Sequence, residues 1–283
     1  WQNFFSRGLV KTAEDFGNQG EMPSHLDLLD WLAIELRDNN WDIKKLNKLI
    51  VMSATYQQDS KASALLNEKD PENKLLARGP SMRLSAEMIR DNALTASGLL
   101  NKKLGGKSVY PYQPEGLWEI NGTKYNQDST DQVYRRSLYI VLKRTVPNPT
   151  LANFDGPTRA SCLVRRQSTN TPLQALVTLN DPTFIEAAKV IGESITKQQN
   201  TAAAISKAYQ QLTGTTPTTK QMALLNALQQ SEYNKFKAYP NKIKGWINTG
   251  LYKIDKTLDP YWVAANSVVA STILNSDATI TKR

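Results

Sequence analysis

The chain has 283 residues, 40% hydrophobic and 22% charged, with 35 Lys and Arg against 26 Asp and Glu and a formal charge of +9. Those proportions belong to a globular chain, and its length suffices to bury a core without disulfide or metal support. One Cys and one His exclude a covalent c-type haem, an internal disulfide and a Cys/His zinc site within these residues. The basic balance, with a sequence pI near 9.4, favours anionic partners. The longest apolar run, around Leu138 to Leu142, falls far short of the roughly 20 residues that span a bilayer. The opening at Trp1, without Met or an apolar leader, reads as a fragment or processed product of a longer chain.

Residues 1–60 read as helices. Pro23 and Ser24 look like a helix start, and Leu26, Leu29, Leu32, Ala33 and Leu36 follow at helical spacing. Leu28, Trp31 and Ile34 widen that apolar face and predict a well-buried helix. Asn39 and Asn40 break it. Asp42 is the expected N-cap of a second helix carrying Ile43, Leu46, Leu49 and Ile50 on one stripe. After a polar connection, a third helix from Leu84 to Leu100 is expected to end at Gly105-Gly106. Val109 to Asp131, with Tyr110, Pro111, Tyr112, Pro114, Gly116 and Trp118, has loop chemistry with aromatic anchors.

The run from Tyr134 to Thr145 is the best strand candidate, with a helix as the alternative for so short a stretch. From Pro172 onward the pattern is helical again. Asp181-Pro182 opens a helix to about Ile195, and others cover 202–212, 218–236 and 261–274. The expected class is mainly α, in one large domain over 1–283 with a short strand or hairpin near 134–145 and long ordered loops. A subdivision into an Arg-rich core, 1–170, and a helical part, 171–283, is the alternative.

Polar information is densest between Arg135 and Asp181. Arg135, Arg136, Lys143, Arg144, Arg159, Arg165 and Arg166 face a single acid, Asp155, in the 135–166 stretch, a local excess of 7 − 1 = +6. Guanidinium groups suit bidentate contact with carboxylate or phosphate, and clustered like charges need internal acids or an external anion. Glu87 and Asp91, on the helix that carries Arg83 and Arg90, could be the internal acids. Ser168, Thr169, Asn170 and Thr171 stand just before a helix, where they would cap its amides or, beside the arginines, help hold an anion.

Phe154-Asp155-Gly156-Pro157 is a turn by composition. Asp155 and Glu87 are weak candidates for a general base, since neither has an identifiable partner carboxylate. Asp155 paired with Arg159 is the simpler reading. His25 reads as a helix-start or surface residue, and Cys162 as a buried small hydrophobe. Lys235, Lys237, Lys242, Lys244, Lys253 and Lys256 alternate with Tyr233, Phe236, Tyr239, Trp246 and Tyr252. That pattern fits a glycan or single-strand surface, or a solvated lysine face over core aromatics.

Several phrases occur in a familiar order: Asp15-Phe16-Gly17; Pro23-Ser24-His25 with Leu28 to Ala33; Ser53-Ala54-Thr55-Tyr56-Gln57; and Arg83 to Glu87 with Ile89-Arg90-Asp91. Tyr134-Arg135-Arg136-Ser137-Leu138-Tyr139, Phe154-Asp155 through Arg159, Thr169 to Leu176 and Leu179-Asn180-Asp181 complete the series. Over nearly its whole length the chain resembles the C-terminal domain of unknown function of secreted planctomycete-type cytochrome proteins, also found in Bacteroidetes. Asn275 to Thr279 departs from it, where such domains tend to place an acidic residue before Phe.

The resemblance implies a secreted, periplasmic or cell-surface location in a Gram-negative bacterium. It implies no cofactor in this chain, with haem c on another domain or partner, and it carries no catalytic residues. Two readings follow. One is an accessory or substrate-binding module of a haem-linked oxidoreductase in extracellular polysaccharide or sugar metabolism, with Arg135, Arg136, Arg159, Arg165, Arg166 and Asn170 as ligand-binding residues and no metal. The other is a non-catalytic helical scaffold at the cell surface that recognises an anionic glycan or partner protein. Neither calls for nucleic acid or a transmembrane segment.

Overall fold

The computed structural model describes residues 1–119 and 122–282, and the chain divides into two compact units. Unit 1 comprises Trp1–Arg83, Leu163–Arg165 and the chain end from Thr281; unit 2 comprises Leu84–Cys162 and Arg166–Ile280.

Unit 1 holds α1 (Gln2–Phe5), α2 (Leu26–Asp38), α3 (Ile43–Val51) and α4 (Ala64–Lys69), with β1 (Met82–Arg83) antiparallel to β2 (Thr281–Lys282). Asp42 caps α3 as expected, accepting from Lys45 N–H at 3.0 Å. Ser63 caps α4 in the same way. Trp1 stacks on Phe5, and Tyr56 meets the Phe5 ring edge-on. One expectation is overturned here: α2 buries none of its residues, and Trp31 and Ile34 are 45% and 48% exposed. The helix carries apolar residues on more than one face, and within unit 1 its packing partner is the following helix, α3, which cannot cover all of them.

Unit 2 holds α5 (Ala86–Ser97), α6 (Pro149–Asn153), α7 (Pro172–Asn180), α8 (Pro182–Thr196), α9 (Thr201–Thr213), α10 (Thr219–Ala238), α11 (Lys244–Asn248), α12 (Pro260–Leu274) and α13 (Asp277–Ile280). The chain is mainly α. The long apolar helices α8 and α12 form the central pair, with α5, α9 and α10 against them. Ala187, Ala188, Ile191, Val269, Ala270 and Ile273 are buried in their shared core. At Gly192 a Cβ would come within 2.5 Å of Ser267 N, so the two backbones approach as closely as they do only because that position is glycine.

Capping side chains fix the helix starts: Ser85 for α5, Asp181 for α8, Asn200 for α9, a Thr218/Gln221 capping box for α10 and Asp259 for α12. Helix α5 ends earlier than the sequence suggested, at Gly98, which takes the left-handed C-cap at φ 80°. Leu99 and Leu100 then turn onto a second cluster with Leu94, Tyr112, Val133 and Tyr134. Among the described residues the 134–145 stretch pairs only at isolated bridges: Asn101 with Arg135 and Val109 with Ile140, both parallel, and Lys143 with Val146, antiparallel. Two 3-10 turns, Asp131–Tyr134 and Ser137–Tyr139, interrupt it and set Arg135 and Ser137 inward.

Candidate functional site

The arginine region of unit 2 is built on α5. Arg90 points into the protein, where its guanidinium donates to the carbonyls of Arg135 at 2.9 Å and Val133 at 2.6 Å and to Ser137 Oγ at 3.3 Å. Asp91 lies 3.7 Å from Arg90 and accepts from both Ser137 N–H and Ser137 Oγ–H. Burial works against the Arg90 charge and lowers its pKa, and Asp91 partly offsets that cost. Arg135 is buried as well. It donates to the carbonyls of Lys107, Lys103 and Gly105 and lies over the Tyr139 ring at 3.8 Å. Two of the region's guanidiniums thus hold two loop segments, 103–107 and 133–137, to one helix.

One turn earlier on α5, Glu87 receives a bidentate pair from Arg166 at 2.6 and 3.0 Å. Its partial burial alone would raise the Glu87 pKa, but the Arg166 bonds outweigh that and hold the carboxyl below its ordinary value. Asp155 sits in the turn after α6 with φ 58°. It accepts from Thr169 N–H and Thr169 Oγ–H, each at 2.9 Å. Gln174, buried at the start of α7, donates to the carbonyls of Asn153 and Thr169 at 3.0 and 3.1 Å. The polar run before α7 is therefore tied down at Arg166 and Thr169.

The sequence-predicted residues divide by environment. Arg135 is inside; Arg136, Arg144 and Arg159 of unit 2 are exposed, as is Asn170. Arg165 belongs to unit 1 and is exposed. Cys162 is exposed, contrary to the expectation of a buried hydrophobe. It lies in 158–170, where every residue faces solvent, so local apolarity had nothing to pack on.

A second charged constellation was not anticipated. Glu186, Lys189 and Glu193 recur on one face of α8 at helical spacing and are buried. Glu186 accepts from Tyr112 Oη–H at 2.7 Å, Tyr134 Oη–H at 2.8 Å and Tyr252 N–H at 2.6 Å. Lys189 Nζ donates to the carbonyls of Thr249 and Tyr252 at 2.5 and 2.7 Å. Gly250, at φ 81°, passes directly over Glu186. Burial, and then the bond to Glu186, raises the pKa of Tyr112 and Tyr134 far above the ordinary phenol value. The available signal was three charged residues on the apolar face of an otherwise hydrophobic helix. Chemically this is a closed network that clamps 249–252 onto α8. No group of three or more His, Cys, Asp or Glu suited to a metal occurs among the described residues.

Residues 1–229 match the family described as PSD1, protein of unknown function (DUF1553), and the chain belongs to that family. No curated protein and no solved structure matches it.

Proposed function

We propose that this PSD1-family chain is an accessory module of a secreted, haem-linked oxidoreductase acting on extracellular polysaccharide, and that its own work is to bind anionic material and not to transform it. The observation that carries this reading is the commitment of its buried ionisable groups. Arg90, Arg135, Glu186 and Lys189 all bond to backbone or tyrosine partners inside the fold, and Glu87 and Asp155 are engaged by Arg166 and Thr169. A general base needs a lone pair within reach of substrate, and these carboxylates spend theirs on structure. Arg136, Arg144 and Arg159 remain exposed, and planar guanidiniums of that kind suit carboxylated ligands.

The resemblance to the C-terminal domains of planctomycete-type cytochrome proteins supports the secreted setting and a haem c partner domain. The bracing role of Arg90 and Arg135 favours the second reading, a cell-surface scaffold, only if anion binding is absent.

Titration of the chain with polygalacturonate tests the proposal. The expected result is salt-sensitive binding that the variant Arg136→Gln/Arg144→Gln/Arg159→Gln loses about tenfold, about 1.4 kcal/mol, with its melting temperature unchanged. Ferricyanide reduction with oligogalacturonate as donor should be absent. Turnover abolished by Asp155→Asn or Glu87→Gln would overturn it.

A further inference from the structure

The lysine and aromatic residues from Tyr233 to Lys244 lie beyond the matched stretch and take no part in the networks above. Helix α10 ends with Lys235, Phe236 and Lys237, a 3-10 turn Pro240–Ile243 carries Lys242, and α11 opens on Lys244. Lys237 Nζ lies 5.6 Å from the Tyr233 ring and 5.4 Å from the Tyr261 ring. Lys242 Nζ lies 4.7 Å from the Tyr239 ring, and Tyr239 is 59% exposed. Lys235 is neutralised by Glu232 at 2.9 Å. Lys237, Lys242 and Lys244 are exposed and form no ion pair among the described residues. No acid occurs in the sequence between Glu232 and Asp255.

Lysines in the last turn of a helix gain from its dipole, which accounts for Lys235 and Lys237. It does not account for Lys242, Lys244 or a large exposed ring between them. We infer that this end of unit 2 is a binding surface for a carboxylated polysaccharide, with Lys237, Lys242 and Lys244 pairing to carboxylates and Tyr239 packing against the apolar face of a sugar ring. Charge complementarity selects a polyanion. The ring arrangement selects a glycan over single-stranded nucleic acid. Successive bases need successive open ring faces, whereas Tyr233 and Trp262 are stacked on each other at 3.9 Å and Tyr261 is half-buried. That leaves Tyr239 as the exposed platform, enough for one sugar face.

This surface is separate in sequence from the arginine segment and builds on the proposed binding function. The test measures affinity of the full chain for polygalacturonate, its methyl-esterified neutral form and an oligothymidylate at low salt. Wild type should prefer the carboxylated polymer over both. Lys237→Ala/Lys242→Ala/Lys244→Ala should weaken that binding about tenfold, and Tyr239→Ala about threefold, both with unchanged melting. Lys44→Ala/Lys45→Ala/Lys48→Ala, which removes the same charge from α3, should stay within about twofold of wild type. Equal loss in the α3 control, no loss in the α10–α11 variant, or tighter binding to the oligothymidylate or the ester overturns the inference. If only the arginine variant loses affinity, the inference fails and the proposed function stands. If wild type binds none of the polymers, both fail.

Discussion

Gly250→Ala isolates the clamp on Glu186. The new Cβ would fall inside van der Waals contact of the Glu186 carboxylate carbon and both its oxygens, at a backbone φ of 81°. Left-handed backbone costs a non-glycine residue about 1–2 kcal/mol. The carboxylate must also shift, and losing one of its hydrogen bonds while buried partners stay unsatisfied costs about 1.5–3 kcal/mol more. The expected total is about 2.5–5 kcal/mol, a fall in melting temperature on the order of 10 °C for a unit of this size. Gly214→Ala is the control: Gly214 has φ 73° and nothing within 4 Å of the added carbon, so it carries only the backbone cost. Urea and thermal unfolding of both variants against wild type measure the difference. If the two variants lose the same stability, the clamp contributes nothing and the reasoning is refuted.

Alkali should weaken the fold. Tyr112, Tyr134 and Tyr252 are held above their ordinary pKa, first by burial and then by carboxylate bonds. Their contribution is thus intact below about pH 10 and is lost as pH rises beyond it. Lys189, lowered by burial, acts in the opposite sense just below its ordinary value of about 10.4, where the unfolded chain holds the proton longer. Stability measured by urea unfolding should therefore fall above roughly pH 10, with a shallower fall in Tyr112→Phe; equal slopes in both proteins would contradict the assignment. Trypsin should cut native protein first at Arg159 or Arg165, in the fully exposed 158–170 stretch. Early cleavage at Arg90 or Arg135 would contradict their burial. A maleimide should label Cys162 rapidly in the native state without lowering the melting temperature, and slow labelling would place the thiol inside.

Helices of unit 2 were legible because their start signals are local: Asp181-Pro182 and Thr218 with Gln221 each name a cap and its partner in adjacent residues. The glutamate and lysine of the α8 clamp were not, since Tyr112, Tyr134 and Tyr252 approach Glu186 from 52 to 74 positions away, and only packing brings them together. Arg135 and Arg136 are neighbours of the same type, yet one is buried and the other exposed. The 3-10 turns that separate their directions leave no periodic trace. Helix α2 misled in the other direction, because apolar spacing predicts an amphipathic helix but not whether a second neighbour exists to cover it.

The central claim, that buried arginine holds the fold while exposed arginine binds, is tested most directly by measuring melting temperature and polygalacturonate affinity together for Arg135→Met and Arg159→Gln. Arg135→Met strands three carbonyls and should cost about 2–4 kcal/mol of stability, while its folded fraction binds like wild type. Arg159→Gln should melt like wild type and bind more weakly. An Arg135→Met protein of unchanged stability that no longer binds would contradict the account.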